Sequence, residues 1–304
     1  GKARKQGWRY LQSGLFKSIW IQPAAGDAGG ALGAALAARY IWQKKMRPTP
    51  NPHRDNMQGA YLGPIYQSVD IERVVRKYEA IADHYDDFGL LCEKVASLLA
   101  AGKVVGWFQG RMEWGPRALG NRSILADPRN PQMQKKLNLK IKYREGFRPF
   151  APSVLAEEAG KFFELNEVNS PYMLFVAPVA ASRRRELPTS HADKDLYQRL
   201  YFSRSDIPAI THVDYSARVQ TVHKKTNPKY WQLIDAFRKL TSIGLVINTS
   251  FNVRGEPIVC SPDDAYRCFM RTEMDCLVMD KYFFDKEHQP FQEHFKNKES
   301  FELD

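Results

Sequence analysis

Between Arg111 and Arg148 the chain carries ten lysines and arginines against three acids (Glu113, Asp127, Glu145). That is a net +7 in 38 residues, within a chain whose formal charge is +11. The densest part is Gly110-Arg111-Met112-Glu113-Trp114-Gly115-Pro116-Arg117-Ala118-Leu119-Gly120-Asn121-Arg122-Ser123, with three glycines and three arginines directly after the apolar run Val104–Phe108. Glycine lets backbone N–H groups approach oxygen closely, and guanidinium forks grip phosphate or carboxylate in bidentate fashion. Arg111, Gly115, Arg117 and Arg122 are therefore read as parts of an anion cradle. A solvated basic turn is the plain alternative, and the presence of Trp114 and Leu119 among the arginines argues against it.

Three further segments have the same character. Lys142 to Phe150 places Lys142 and Arg148 six residues apart around Gly146, with Arg144 between them. Asp214 to Gln220 sets Arg218 at the mouth of a strand. Asn248-Thr249-Ser250-Phe251-Asn252 puts small polar side chains at the end of a buried strand, where ligands of α/β sheets usually sit, although ordinary turn capping is the competing reading. If these segments converge, the site is rich in cations and in hydroxyl and amide groups. It has no activated cysteine and no Ser-His-Asp order. Such a site suits positioning and charge neutralisation in phosphoryl or nucleotidyl transfer. No Walker A loop is present.

The elements that must position these residues alternate in type. Strands are predicted at Ser18–Gln22, Lys103–Phe108, Phe150–Leu155, Tyr172–Val179, Arg218–Val222, Leu245–Asn248 and Cys276–Met279. Helices are predicted at Ala31–Lys44, Ile71–Asp83, Gly89–Ala101, Asn130–Ile141, Glu157–Phe163, Tyr230–Leu240 and Pro262–Arg271. Ser182–His191 reads as a mobile polar loop. Mixed elements without a strict βαβ cadence imply an α/β fold with a mixed, twisted sheet and flanking helices. Three prolines in the five residues Pro48–Pro52 mark a stiff linker and the candidate domain boundary.

With 43% hydrophobic and 26% charged residues the chain can bury a sizeable core, which excludes global disorder. Its four cysteines (Cys92, Cys260, Cys268, Cys276) are spaced by 168, 8 and 8 residues and form no CxxC pair. They read as reduced thiols of a cytoplasmic protein. No apolar run is long enough to span a membrane. The chain opens without Met in a basic stretch, which reads as the interior of a longer protein.

On these motifs the chain resembles the carbamoyltransferase family, which includes the nodulation-factor, cephalosporin and aminoglycoside O-carbamoyltransferases. Gly110–Arg129 is similar to the hallmark of the family's C-terminal domain. Gly146–Pro152, Pro208–Asp214, Ala217–Val222 and Asn248–Pro257 match further blocks in order, over roughly Ile71 to Asp285. The resemblance implies a YrdC-like α/β domain at 71–304, a Pro-rich linker at 47–70, and at 1–46 the end of an actin-like (ASKHA) transfer domain. It also implies that carbamoyl phosphate and ATP, with Mg2+, become carbamoyl-adenylate, whose carbamoyl group passes to a hydroxyl-bearing small-molecule acceptor. Arg117, Lys142 and Arg148 would be catalytic. Arg111, Gly115, Arg122, Arg218, Asn248, Ser250 and Asn252 would bind substrate and nucleotide.

Gln22–Ala35 resembles the closing motif of the actin-like domain, in which Asp27 is a ligand of Fe2+ or another divalent metal alongside upstream histidines. The seven histidines of this chain form no HxxxH pair, and Asp27 also fits a helix N-cap after Gly26. Two departures stand out: Trp114 replaces the more usual Phe, and Tyr215-Ser216 replaces Gly-Thr before Arg218. A homodimer is a candidate assembly, and no membrane partner is expected. Two other readings share the basic surface. One is a nucleic-acid-binding module, disfavoured because only Tyr143 and Phe147 interleave the cations as stacking residues. The other is a threonylcarbamoyl-adenylate synthase, which lacks the long motifs quoted above.

Overall fold

Runs buried at every residue, as at Val105–Phe108, Arg122–Ala126, Ala151–Leu155 and Cys276–Met279, call for a sheet covered on both sides, and the chain builds one. The computed structural model describes residues 13–15, 19–49, 55–165, 168–191 and 193–290. Nine strands form one mixed sheet: β1 (Asp83–His84), β2 (Val105–Phe108), β3 (Arg122–Ala126), β4 (Ala151–Leu155), β5 (Phe175–Pro178), β6 (Ser216–Val222), β7 (Leu245–Ser250), β8 (Cys276–Met279) and β9 (Tyr282–Asp285). Their spatial order is β1-β9-β8-β2-β3-β7-β4-β6-β5. Only β2–β8 and β4–β6 run parallel.

The helices are α1 (Asp27–Ala37), α2 (Ser68–Tyr78), α3 (Phe88–Ala100), α4 (Met133–Lys136), α5 (Ala159–Phe162), α6 (Leu196–Leu200), α7 (Pro228–Thr241) and α8 (Pro262–Arg271). On one face of the sheet, Val105 and Trp107, Leu125, Val246 and Val278 pack against Leu91, Val95 and Leu99 of α3 and Leu233 and Phe237 of α7. On the other, Val104 and Phe108, Ile124, Ile247 and Leu277 meet Ile71 and Val74 of α2 and Ala265 and Phe269 of α8. The period-2 switch along each strand is what separates the two cores. Helix starts follow local chemistry. Pro228 and Pro262 open α7 and α8 behind Asn227 and Ser261, whose side-chain oxygens accept the amides of Tyr230 (3.1 Å) and Asp264 (3.2 Å).

Several expectations need correction. Residues 19–22 form no strand, and Ser18 lies outside the described residues. The predicted basic helix Asn130–Ile141 is the single turn α4 followed by a π turn at Leu137–Ile141, because Asn138 turns inward to donate to the carbonyls of Gly146 and Arg148. The start of Ser182–His191 is tied to the domain, Arg183 pairing with Asp206 at 2.5 Å and Arg184 with Glu164 at 2.5 Å, while residues 186–190 are exposed. The described part of the predicted linker, from Asp55 onward, packs on the arginine loop. There Gly63 N–H donates to Met112 O at 2.9 Å and Trp114 N–H to Ala60 O at 2.6 Å. Asp27 is the first residue of α1 rather than its cap, which is Gly26.

Candidate functional site

The end of β7, the start of β4 and the face of β6 meet under the loop that links β2 to β3. Register brings Ala151 opposite Asn248 and Ser153 opposite Gln220. Above them lies a cleft of about 410 Å³ whose walls include Arg117, Arg144, Arg148, His212, Arg218, Asn248 and Ser250. Five residues singled out from sequence therefore share one cavity: Arg117, Arg148, Arg218, Asn248 and Ser250. Four guanidinium groups in a space of this size fit a polyanionic ligand.

The loop is held from within. Glu113 is buried, and its Oε1 accepts the N–H groups of Leu119 (2.6 Å), Asn121 (2.8 Å) and Arg122 (3.3 Å). This brace closes the turn that carries Arg117. Burial outweighs these donors and raises the Glu113 pKa. Gly115 and Gly120 adopt φ of +109° and +108°. A Cβ on Gly120 would lie 2.1 Å from the Tyr230 ring, and one on Gly115 would lie 2.5 Å from Ala24 Cβ. The second approach, with Trp114 Nε1–H donating to Ala28 O at 3.2 Å, docks the Pro23–Ala28 segment on the outside of the loop.

Arg122 is not in the cleft. Its side chain is fully buried beneath the loop, 3.6 Å above the Phe108 ring, and donates to the carbonyls of Gln109 (2.7 Å) and Asn121 (3.0 Å). Burial lowers its pKa to about 10. It is a strut of the loop, not a ligand-facing cation. Arg111 lines a separate cleft of about 930 Å³ with Lys225 and Lys229, and donates to Gly63 O at 3.0 Å.

Lys142 also lies behind the wall. Its Nζ donates to Ser250 O, to Asn252 O at 2.8 Å and to Asn252 Oδ1 at 2.8 Å, with Ser250 Oγ 3.3 Å away. Burial pushes the ammonium down to about 7. The oxygens around it are all able to accept from the ammonium, but burial outweighs them. Lys142 and Asn252 thus set the position of Ser250 rather than touching the cavity.

Arg144 and His212 line the cleft but stood only as flanking members of their motifs in the sequence. Arg144 Nε donates to Asn138 Oδ1 at 2.7 Å, and its guanidinium sits 5.0 Å from the Phe150 ring. The signal for Arg144 was its place midway between Lys142 and Arg148; His212 gave none beyond its block. The basic run is not one continuous surface either. Arg122 and Lys142 are buried, while Arg129, Lys136 and Lys140 pair with Asp127, Asp275 and Glu273. Among the described residues, no group of three His, Cys, Asp or Glu side chains could hold a metal, and Asp27 is exposed at the start of α1. Those residues contain no helix long and apolar enough to cross a membrane.

This geometry coincides with a family signature. The family model "Carbamoyltransferase C-terminus" matches residues 96–286, and "Carbamoyltransferase N-terminus" matches residues 5–36. The chain belongs to the carbamoyltransferase family. It is 56% identical over 301 residues to an uncharacterized protein of Synechocystis sp., covering 97% of this chain and 48% of that protein. It is 42% identical to nodulation protein NolNO of Sinorhizobium fredii (91% and 37% covered) and 33% identical to 3'-hydroxymethylcephem-O-carbamoyltransferase of Streptomyces clavuligerus (90% and 45% covered). The chain spans less than half the length of these relatives. Among solved structures, full-length HypF in its phosphate- and nucleotide-bound form aligns over 87% of this chain and 34% of that chain, at 13% identity and a TM-score of 0.38. A likeness that low carries no argument about this site.

Proposed function

We propose that this chain is the adenylate-forming part of an ATP-dependent O-carbamoyltransferase. On this reading residues 71–304 are a YrdC-like domain, 47–70 its connection, and 1–46 the end of an actin-like transfer domain. The observation that carries it is the pairing, in one cleft, of four arginines with a buried acceptor. Asn248 is 1% exposed, and its Oδ1 has no hydrogen-bond partner. A ligand that satisfies both features is an anion bearing an N–H group, as carbamoyl phosphate is.

Carbamoyl phosphate first gives carbamate and phosphate by hydrolysis. A carbamate oxygen then attacks the α-phosphorus of ATP, the bond to the β-phosphate oxygen breaks, and pyrophosphate leaves. Arg117, Arg144, Arg148 and Arg218 neutralise the charge that accumulates on the phosphates, with Mg2+ accompanying ATP. Asn248 accepts from the carbamoyl nitrogen, and Ser250, fixed by Lys142 and Asn252, borders the same pocket. Transfer to an acceptor hydroxyl follows in the complete protein, in keeping with the relative named for a 3'-hydroxymethylcephem. Asp27 would serve as a metal ligand only with partners from outside the described residues. We place the protein in the cytoplasm.

The test is carbamoyl-phosphate-dependent ATP–pyrophosphate exchange. Arg148→Ala should reduce exchange about 10²-fold, the scale for losing one preorganised charged contact. Absence of exchange, or an unchanged rate in Arg148→Ala, refutes the assignment.

A further inference from the structure

Gln220 is not among the residues that line the cleft, yet with the Ala118 carbonyl it settles which end of the Asn248 amide is left without a partner. It is 1% exposed on β6, two residues beyond Arg218 and on the same strand face. Its Nε2 donates to the Leu119 carbonyl at 2.7 Å. Its Oε1 accepts from Ser153 Oγ at 2.5 Å and from Asn248 Nδ2 at 2.9 Å. Asn248 Nδ2 also lies 3.1 Å from the Ala118 carbonyl.

These contacts admit one polarity. Main-chain carbonyls can only accept, so Leu119 O requires the amino end of Gln220. The oxygen end of Gln220 must then face Asn248. With Gln220 Oε1 and Ala118 O both acceptors, the Asn248 amide must turn its nitrogen to them. The atom left over is Oδ1, the buried acceptor without a partner. Reversing the Asn248 amide would set its oxygen against two acceptor oxygens, and reversing Gln220 as well would break the bond to Leu119.

We infer that Gln220 is a positioning residue that, together with the Ala118 carbonyl, holds Asn248 as a hydrogen-bond acceptor and thereby selects acyl phosphates that carry an N–H group over methyl analogues. This rests on the proposed function. Acetyl phosphate, with CH3 in place of NH2, leaves Asn248 Oδ1 unsatisfied. The relay starts at Leu119, close to Arg117 in the same loop, so the loop that supplies charge also fixes the selectivity.

The test is calorimetric titration of the 304-residue chain, in parent, Gln220→Met and Asn248→Ala forms, with carbamoyl phosphate, acetyl phosphate and inorganic phosphate. The parent should bind carbamoyl phosphate about 10–100-fold more tightly than acetyl phosphate, the scale of an unmet buried acceptor. Gln220→Met should cut that ratio at least about fivefold while inorganic phosphate, which meets only the cations, binds as before. Asn248→Ala should abolish the ratio and keeps the proposal testable if Gln220→Met does not fold. Parallel weakening of all three ligands in Gln220→Met would reduce Gln220 to a structural residue and overturn the inference. A ratio unchanged in either variant overturns it while leaving the carbamoyl phosphate site standing. A parent that does not bind carbamoyl phosphate overturns the proposed function, and this inference falls with it.

Discussion

Replacing Glu113 by alanine isolates the brace that shapes the arginine loop. Its Oε1 accepts three main-chain N–H groups, two of them at 2.6 and 2.8 Å and belonging to the buried residues Leu119 and Asn121. Stranding each of the two short donors costs about 1–3 kcal/mol, and the longer contact to Arg122 adds less. Against this stands relief of the buried carboxylate. Its pKa stands above the ordinary value, and every pH unit of that displacement corresponds to a penalty of about 1.4 kcal/mol. The net expectation is a loss of about 2–4 kcal/mol at pH 7, read as a lower urea midpoint with an unchanged slope. The pH dependence separates the two contributions. Between the ordinary carboxylate value of 4.5 and the raised native one, the native state holds a proton that the unfolded chain has released. Parent stability therefore rises as pH falls through that window, and the gap between parent and Glu113→Ala should widen toward pH 4.5. A gap that narrows on acidification would mean that the three N–H donors dominate burial. A loss below about 1 kcal/mol would refute the brace itself.

Three further outcomes follow from local geometry. Gly120→Ala should cost about 3–5 kcal/mol or prevent soluble expression, because it combines a φ of +108° with a 2.1 Å overlap on the buried Tyr230 ring; near-parental urea stability would contradict this. Lys142 has a native pKa of about 7 against an ordinary 10.5, so the unfolded chain binds the extra proton between those values. Parent stability relative to Lys142→Met should rise with pH through that window, by about 1.4 kcal/mol per pH unit, and a flat difference from pH 7 to 10 would count against it. Iodoacetamide should modify native Cys260 alone: Cys92 and Cys268 are buried with thiols pushed up to about 12, and Cys276 is buried with its thiol raised further. Mass-spectrometric labelling of a second cysteine before unfolding would overturn that.

The fold was legible where periodicity carried it. The strands at β2, β4, β7 and β8 and the helices α3, α7 and α8 stand close to their predicted ranges because two-sided burial leaves continuous apolar runs and Asp87, Asn227 and Ser261 cap the helix starts, whereas α2, expected at Ile71–Asp83, runs from Ser68 to Tyr78 and Asp83 belongs to β1. β3 was missed for a physical reason. Its first residues, Arg122 and Ser123, look like the tail of a polar loop, and only the Phe108 ring and the carbonyls above it make a buried arginine tolerable there. The same substitution of tertiary contacts for local pattern bears on the helix expected at 130–141, which starts at Met133 and passes from α to π at Leu137. Asn138 is committed to the carbonyls of Gly146 and Arg148.

At the site, residue type announced charge but not direction. Arg117, Arg148 and Arg218 reach the cleft, whereas Arg122 and Lys142 carry equal charge and face the protein's own oxygens. Nothing in the spacing separates the two groups. What separates them is burial: Arg122 and Lys142 are enclosed by the approach of β3 and β7 to the loop, and the other three line the cleft. Gln220 is the extreme case. It looks like an ordinary polar residue in a strand, yet the fixed polarity of two carbonyls, one of them read through its amide, leaves one acceptor on Asn248. Arg117 of the loop, with Arg144, Arg148 and Arg218, gives the cleft its positive charge. The orientation of that single buried oxygen is decided at the carbonyls of Ala118 and Leu119, just beyond Arg117 in the same loop.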